Sequence, residues 1–139
     1  MSMRFDEKVV IVTGAGGGLG KEHAIEFAKR GAKVIVNDLG GSVDGGGASD
    51  SANEVVELIK SEGGEAIANG ASVTDLDAVK GMVDETINKW GRIDVLVNNA
   101  GILRDKSFHK MSIEDFNLVM SVHFQGTLNC THTVFPIMR

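Results

Sequence analysis

The chain has 139 residues, of which 42% are hydrophobic and 24% are charged, and its formal net charge is −5. This length suits one domain with a real core, the acidic balance argues against binding to nucleic acid or anionic membranes, and no apolar run approaches the roughly 20 residues of a membrane span. A single cysteine, Cys130, excludes an internal disulfide. Because the start of the chain is also short and polar, the cytoplasm is the expected location. We expect no metal site.

Short runs of branched apolar residues predict the strands. In chain order they are Val9–Val12, residues 34–36, and Val95–Val97 after Ile93, with Glu65–Asn69 as a weaker candidate. Apart from the weaker candidate, the runs lack polar alternation, so both faces of these strands should be buried, as in a parallel sheet.

Helical periodicity lies between and after these runs. We predict helices over residues 19–30, 50–62, 75–90 and 113–135, the first three followed by glycine. Thr74 with Asp77 is the predicted capping pair of the third helix, and Ser112 with Asp115 opens the fourth, near whose end Pro136 lies.

The alternation of strands and helices predicts a doubly wound α/β domain with a parallel sheet in the strand order 3-2-1-4. Residues 1–139 form part of a single domain in this interpretation. Ligands of such folds bind at the carboxyl ends of the strands.

A glycine-rich turn joins the first strand to the first helix, with five glycines from Gly14 to Gly20. Such a turn allows positive φ values and close backbone approach, and the helix start then presents free N–H groups to a pyrophosphate. Ala15 and Glu22 occupy positions where a P-loop needs Gly and Ser/Thr, and Leu19 breaks the Gly-x-Gly-x-x-Gly spacing. The pattern that remains is Gly-x-x-x-Gly-x-Gly, at Gly14, Gly18 and Gly20.

Asp38 ends the second predicted strand, 18 residues after Gly20. A carboxylate at about this spacing accepts hydrogen bonds from ribose hydroxyls and repels a 2′-phosphate. Because residue 17 is Gly and residue 39 is Leu, no basic residue is there to bind that phosphate. The sequence therefore predicts NAD rather than NADP.

The glycine spacing after Thr13, together with Asn98-Asn99-Ala100-Gly101, resembles the short-chain dehydrogenase family over the whole chain. The chain is most similar to one branch, the (3R)-hydroxyacyl-CoA dehydrogenase domain of peroxisomal multifunctional β-oxidation proteins and its bacterial relatives. The segments that carry this similarity are residues 4–6, 37–41, 91–94, 101–108 and 122–123, and residues 40–49 resemble an extended loop of that branch.

The resemblance implies a Rossmann-type fold that binds NAD, with hydride transfer between NAD and a secondary alcohol, here a 3-hydroxyacyl-CoA. It also implies a homodimer or homotetramer, and a peroxisomal location if the source is eukaryotic. Ser72 and Val73 should border the adenine, although many members have Asp where Ser72 stands. The full set of implied cofactor-binding residues is Gly14, Gly18, Leu19, Gly20, Asp38, Ser72, Val73, Asn99, Ala100 and Gly101, the last three beside the nicotinamide-side ribose.

The catalytic groups that the family uses are a Ser and a Tyr-x-x-x-Lys motif, yet this chain contains no Tyr. We therefore expect residues 1–139 to be the cofactor-binding N-terminal portion of a longer enzyme. His123 stands where most members have a catalytic Asn, and it is the one catalytic candidate. It either serves a proton relay or is a buried histidine bonded to a backbone carbonyl.

Two alternatives remain open. The substrate of the same fold would instead be a steroid, a polyol or an acyl-carrier thioester, since the substrate loops of the family lie beyond Arg139. A non-catalytic NAD-binding module is the second alternative, favoured by the missing Tyr. Continuation of the parent gene into the Ser and the Tyr-x-x-x-Lys motif would separate an enzyme from such a module.

Overall fold

A computed structural model of the protein describes residues 2–39 and 50–139. Its sheet has four parallel strands in the order β3-β2-β1-β4, which confirms the predicted fold class. The strands are β1 (Val9–Val12), β2 (Lys33–Asn37), β3 (Glu65–Asn69) and β4 (Val95–Val97). The loop expected over residues 40–49 lies outside the described residues.

Five α-helices are present in the described ranges. They are α1 (Gly18–Lys29), α2 (Asp50–Ser61), α3 (Leu76–Trp90), α4 (Ile113–Met120) and α5 (Gly126–Met138). The strand order reverses between β1 and β4, and this switch point is where doubly wound folds open a crevice. No helix within these ranges has both the length and the apolar character needed to cross a membrane.

Two apolar layers cover the sheet because successive strand residues point to opposite faces. Val10 and Val12 pack with α1 and α2, whereas Ile11 packs with α3 and α5. Cys130 is fully buried in the second layer, and burial raises the pKa of its thiol to about 11. Its environment is that of an apolar core residue.

The two ends of the sheet differ from its centre. Every residue of β1 is buried, whereas the residues of β4 are half-buried. β4 is hydrogen-bonded to β1 and is an edge strand within the described part of the chain. The prediction of full burial on both faces therefore holds at the centre of the sheet and is wrong at β4.

Two helix predictions are corrected by local geometry. The N-cap of α3 is Asp75, whose side chain accepts from the Ala78 N–H at 3.1 Å, so the Thr74–Asp77 pair was wrong. The predicted long last helix is interrupted by a π-helical turn at Ser121–Gln125, which separates α4 from α5. Ser112 does cap α4, since its hydroxyl accepts from the Asp115 N–H at 3.1 Å.

Asp94 joins β1 to β4 at the end of the sheet opposite the crevice. Its Oδ2 accepts from the Val9 N–H at 2.8 Å, and its own N–H donates to the Val9 carbonyl at 2.9 Å. Arg92 forms a bidentate pair with the same carboxylate, at 2.7 and 2.9 Å. Hydrogen bonding by Arg92 holds the pKa of Asp94 below its usual range, and the Val9 N–H acts in the same direction.

Asp94→Asn should lower the free energy of unfolding at pH 7 by about 1 kcal/mol, because the amide keeps an acceptor for Val9 but loses the ion pair. A carboxyl whose pKa is lower in the folded state stabilises the fold above its unfolded pKa of about 3.9, and this contribution disappears as the pH falls through the lower folded value. Urea unfolding at several pH values should therefore show the two proteins converging as the pH falls through the lowered pKa of the folded Asp94 carboxyl. Asp84→Asn, on an exposed position of α3, is the control; a pH-independent difference for Asp94→Asn would contradict the assignment.

Candidate functional site

A cleft of about 800 Å³ lies at the carboxyl ends of the strands. Its walls come from the glycine turn after β1 and from the segments that follow β2, β3 and β4. Because all four strands are parallel, these segments meet at one edge of the sheet. The lining residues are Gly14, Gly17, Gly18, Leu19, Asn37, Asp38, Leu39, Ala71, Ser72, Val73, Asn99, Ala100, Gly101, Ile102, Leu103 and Val122.

The glycine turn needs glycine for two separate reasons. Gly14 and Gly18 have φ values of 63° and 54°, in the left-handed region that disfavours other residues. A Cβ on Gly14 would lie 2.8 Å from the Ala100 Cα, and one on Gly20 would collide with the Gly14 carbonyl oxygen and the Asn99 side chain. The turn therefore packs against the segment after β4.

The start of α1 faces the same cleft. Gly17 is its N-cap and provides no side-chain hydrogen bond, and the first turn contains no acidic residue. The first N–H groups of a helix have no partner within the helix, and they carry the positive end of its dipole. This end of α1 can accept a phosphate group without displacing a side chain.

Asp38, which follows β2 at the edge of the cleft, contacts the glycine turn directly. Its Oδ2 accepts from the Gly16 N–H at 2.8 Å. A Cβ on Gly16 would lie 2.6 Å from the same oxygen, which explains a glycine that the family spacing does not require. The structure gives Oδ1 no hydrogen bond among the described residues, so this oxygen remains available to a hydroxyl donor.

Thr13 and Asn99 tie the turn after β1 to the segment after β4. The Thr13 hydroxyl accepts from the N–H groups of Asn99 and Ala100, at 3.1 and 3.0 Å, and lies 3.3 Å from the Val97 carbonyl. The Asn99 amide donates to the carbonyls of Thr13 and Gly14, at 3.1 and 3.0 Å. Asn99 therefore serves as a brace, while the cleft is lined by the adjoining backbone.

Ser72 and Val73 line the opposite end of the cleft. The Ser72 hydroxyl lies 2.8 Å from the Thr74 hydroxyl, within its own turn. Val73 is buried, and its carbonyl accepts from the buried Asn129 amide at 2.9 Å. This turn is thus held both by local bonds and by α5.

His123 lies in the π-helical turn, and its ring contacts the segment after β4 that forms one wall of the cleft. Its Nε2 is 2.9 Å from the Ile102 carbonyl oxygen and 3.0 Å from the Ile102 nitrogen. A Cβ on Gly101 would lie 2.6 Å from the imidazole Cε1, so the ring packs directly on that glycine. The contact with the Ile102 carbonyl agrees with the expectation of a histidine bonded to a backbone carbonyl. The expected burial of His123 is wrong, because the residue is exposed.

Nine of the ten predicted cofactor residues line the cleft, and Gly20 instead lies behind the turn against Gly14. Seven further residues line the cleft that were not predicted from the sequence: Gly17, Asn37, Leu39, Ala71, Ile102, Leu103 and Val122. Most of them adjoin a predicted residue at a strand end, so the parallel-sheet rule was the signal that would have found them. Val122 comes from the π-helical turn, which the sequence did not indicate.

Comparison with known proteins agrees with this geometry. A family model described as short chain dehydrogenase matches residues 8–139. Peroxisomal multifunctional enzyme type 2 of Drosophila melanogaster is 52% identical over 138 residues, which are 99% of this chain and 23% of that protein.

Two solved structures resemble the whole fold. A short chain dehydrogenase from Mycobacterium avium superimposes with a TM-score of 0.91 at 44% identity, covering 97% of this chain and 47% of the other. A 7α-hydroxysteroid dehydrogenase complexed with NADH and 7-oxoglycochenodeoxycholic acid has a TM-score of 0.86 at 38% identity, with coverages of 97% and 49%. The chain therefore spans half or less of the length of these relatives.

Gly20→Ala should lower the free energy of unfolding by about 1–3 kcal/mol, because its methyl group would overlap the Gly14 carbonyl and the Asn99 amide. Gly17→Ala is the matched control in the same turn, since Gly17 has an extended backbone (φ −165°) and nothing within 4 Å of an added Cβ. Its effect on the free energy of unfolding should be smaller, about 0.5 kcal/mol, because only the preference of the N-cap for glycine over alanine is lost. Denaturant unfolding measures both, and equal losses would show that the packing of the turn is not the cause.

Proposed function

The chain belongs to the short-chain dehydrogenase family of oxidoreductases, and we propose that its cleft binds NAD. The observation that carries this proposal is the pairing of Asp38 with the glycine turn across the cleft. One carboxylate oxygen is anchored by the Gly16 N–H, which leaves the other to accept from a ribose hydroxyl. A cofactor bearing a 2′-phosphate would place two negative groups together.

The residues present fit a dinucleotide. The uncapped start of α1, with Gly18 and Leu19, would bind the pyrophosphate. Ser72 and Val73 would border the adenine, and Asn99, Ala100 and Gly101 the second ribose, while Gly20 keeps the turn close to β4. The bound nicotinamide would exchange a hydride with the substrate carbon. The part of this chain is to hold and orient the cofactor.

We further propose that the intact protein, meaning the longer enzyme of which we expect residues 1–139 to be the N-terminal portion, acts on a secondary alcohol of the 3-hydroxyacyl-CoA class. Support comes from the 52% identity with a peroxisomal multifunctional enzyme over nearly the whole chain. The similarity to a hydroxysteroid dehydrogenase is lower, at 38%. The similarity to the peroxisomal multifunctional enzyme also supports a peroxisomal location for this protein, if its source is eukaryotic.

Self-association into a homodimer or homotetramer is part of the same proposal. Large apolar side chains of α4, the π-helical turn and α5 are exposed, among them Phe116, Phe124, Leu128 and Phe135. Several large apolar side chains exposed on consecutive elements support a contact with another protein surface. Sedimentation of the intact protein measures the number of subunits.

Asp38→Ala should weaken NADH binding by about tenfold or more and leave NADPH binding unchanged or tighter, because a charged acceptor is lost and a repulsion is relieved. Calorimetric titration with both cofactors gives the two dissociation constants. Asp38→Asn separates the causes, since its amide oxygen can still accept from Gly16 while the charge is gone. Equal losses for the two cofactors would contradict the role of Asp38 as ribose acceptor.

The intact protein should oxidise (3R)-hydroxyacyl-CoA substrates with NAD, and much less efficiently with NADP. Absorbance of NADH at increasing substrate concentration measures kcat/KM for a panel of chain lengths, with hydroxysteroids as comparison substrates. NADH binding without turnover of any hydroxyacyl-CoA would refute the substrate while leaving the cofactor proposal intact.

A further inference from the structure

A buried asparagine lies where three walls of the cleft meet. Asn37, the last residue of β2, is 1% exposed. Its carbonyl accepts from the Ala15 N–H of the glycine turn at 2.8 Å, and the next residue in the chain is Asp38. Its side-chain Nδ2 donates to the Ala71 carbonyl, in the turn after β3, at 3.0 Å. One residue thus connects the phosphate, ribose and adenine sides of the cleft.

The Asn37 amide belongs to a chain of side chains that ends on α3. Its Nδ2 also donates to the Asn69 Oδ1 at 3.0 Å, and that oxygen accepts from the Ala71 N–H at 2.9 Å. The Asn69 Nδ2 in turn donates to the Glu85 Oε2 at 3.0 Å. Both backbone polar groups of Ala71, a cleft-lining residue, are therefore bonded to asparagine side chains.

The main chain holds the same segments together at a second point. The Asp38 N–H donates to the Asn69 carbonyl at 3.0 Å, directly beside the side-chain contacts. This bond fixes the ends of β2 and β3 but does not reach Ala71. The position of the turn over Ala71 and Ser72 relative to Asp38 therefore depends on the side chains of Asn37 and Asn69, in addition to the bond from Asn129 to Val73 on the α5 side.

We propose that Asn37 is a positioning residue, which sets the spacing between Asp38 and the turn after β3 and thereby the affinity for the adenosine half of the cofactor. This inference rests on the proposed NAD site. An apolar residue at position 37 would leave the Ala71 carbonyl without its donor. A carboxylate there would oppose two oxygens, those of Ala71 and Asn69, in a buried place where such repulsion is strong.

The test compares two half-cofactors in Asn37→Asp, which keeps the size of the side chain. Competition against NADH fluorescence should show about a tenfold or greater loss of AMP affinity, because a charge opposes the Ala71 carbonyl. Nicotinamide mononucleotide should change by less than about twofold, since its end of the cleft is built from other segments. A general loss of folding would lower both affinities together, and that result overturns the proposal.

Glu85→Ala tests the same chain of contacts from an exposed position on α3. Removal of the outer carboxylate frees the Asn69 amide, and AMP affinity should fall by about two- to fivefold. Asp84→Ala is the matched control: it removes the same charge one residue earlier on α3, and should leave both half-cofactors unaffected. Identical AMP affinities in the two variants would overturn the positioning role.

The outcomes distinguish this inference from the proposal beneath it. Wild-type protein that binds neither NADH nor AMP would overturn the NAD site, and the positioning role with it. NADH binding by the wild type, with AMP affinity unchanged in Asn37→Asp and Glu85→Ala, would overturn the positioning role alone. Selective loss of AMP affinity in these two variants supports both.

Discussion

The close approach of the glycine turn to the segment after β4 is the constraint on which the rest of the cleft depends. A nearly buried Thr13 hydroxyl and the Asn99 amide link five backbone groups there, all within 3.3 Å. No side chain larger than hydrogen fits at Gly14 or Gly20 without displacing this contact. The start of α1 therefore lies at the cleft, and no side chain of its N-cap, Gly17, covers the first N–H groups of the helix.

The opposite side of the cleft is organised by amides rather than by glycines. Asn37 and Asn69 satisfy the polar backbone of the turn after β3, and Asn129 does the same for Val73 from α5. Buried amides suit this task because each provides both donors and an acceptor. Such fully bonded networks favour one arrangement of the chain, since a displaced member would leave buried polar groups unpaired. This side of the cleft is therefore held by the protein's own hydrogen bonds.

The wall formed by residues 101–103 is held in a third way. The His123 ring packs on Gly101 and bonds the backbone of Ile102, and it reaches them from a π-helical turn. A π-turn inserts one extra residue into a helix and so redirects the side chains next to it, and such turns are frequent at functional sites. The interruption between α4 and α5 thus brings Val122 to the cleft and places His123 against the backbone of the wall at Gly101 and Ile102.

The sequence by itself determined the fold class, the order of elements and most of the cleft, because strand periodicity, glycine spacing and the residue after each strand are local signals. It could not determine the hydrogen bonds that join distant segments, such as the bond from Gly16 to Asp38 and the series of bonds from Asn37 through Asn69 to Glu85. It also could not determine that β4 is only half-buried. The Thr74–Asp77 cap failed for a related reason, since adjacent polar residues compete for the same N–H groups and only the final backbone selects Asp75. Tertiary packing decided these points, because hydrogen-bond partners and burial depend on which segments meet.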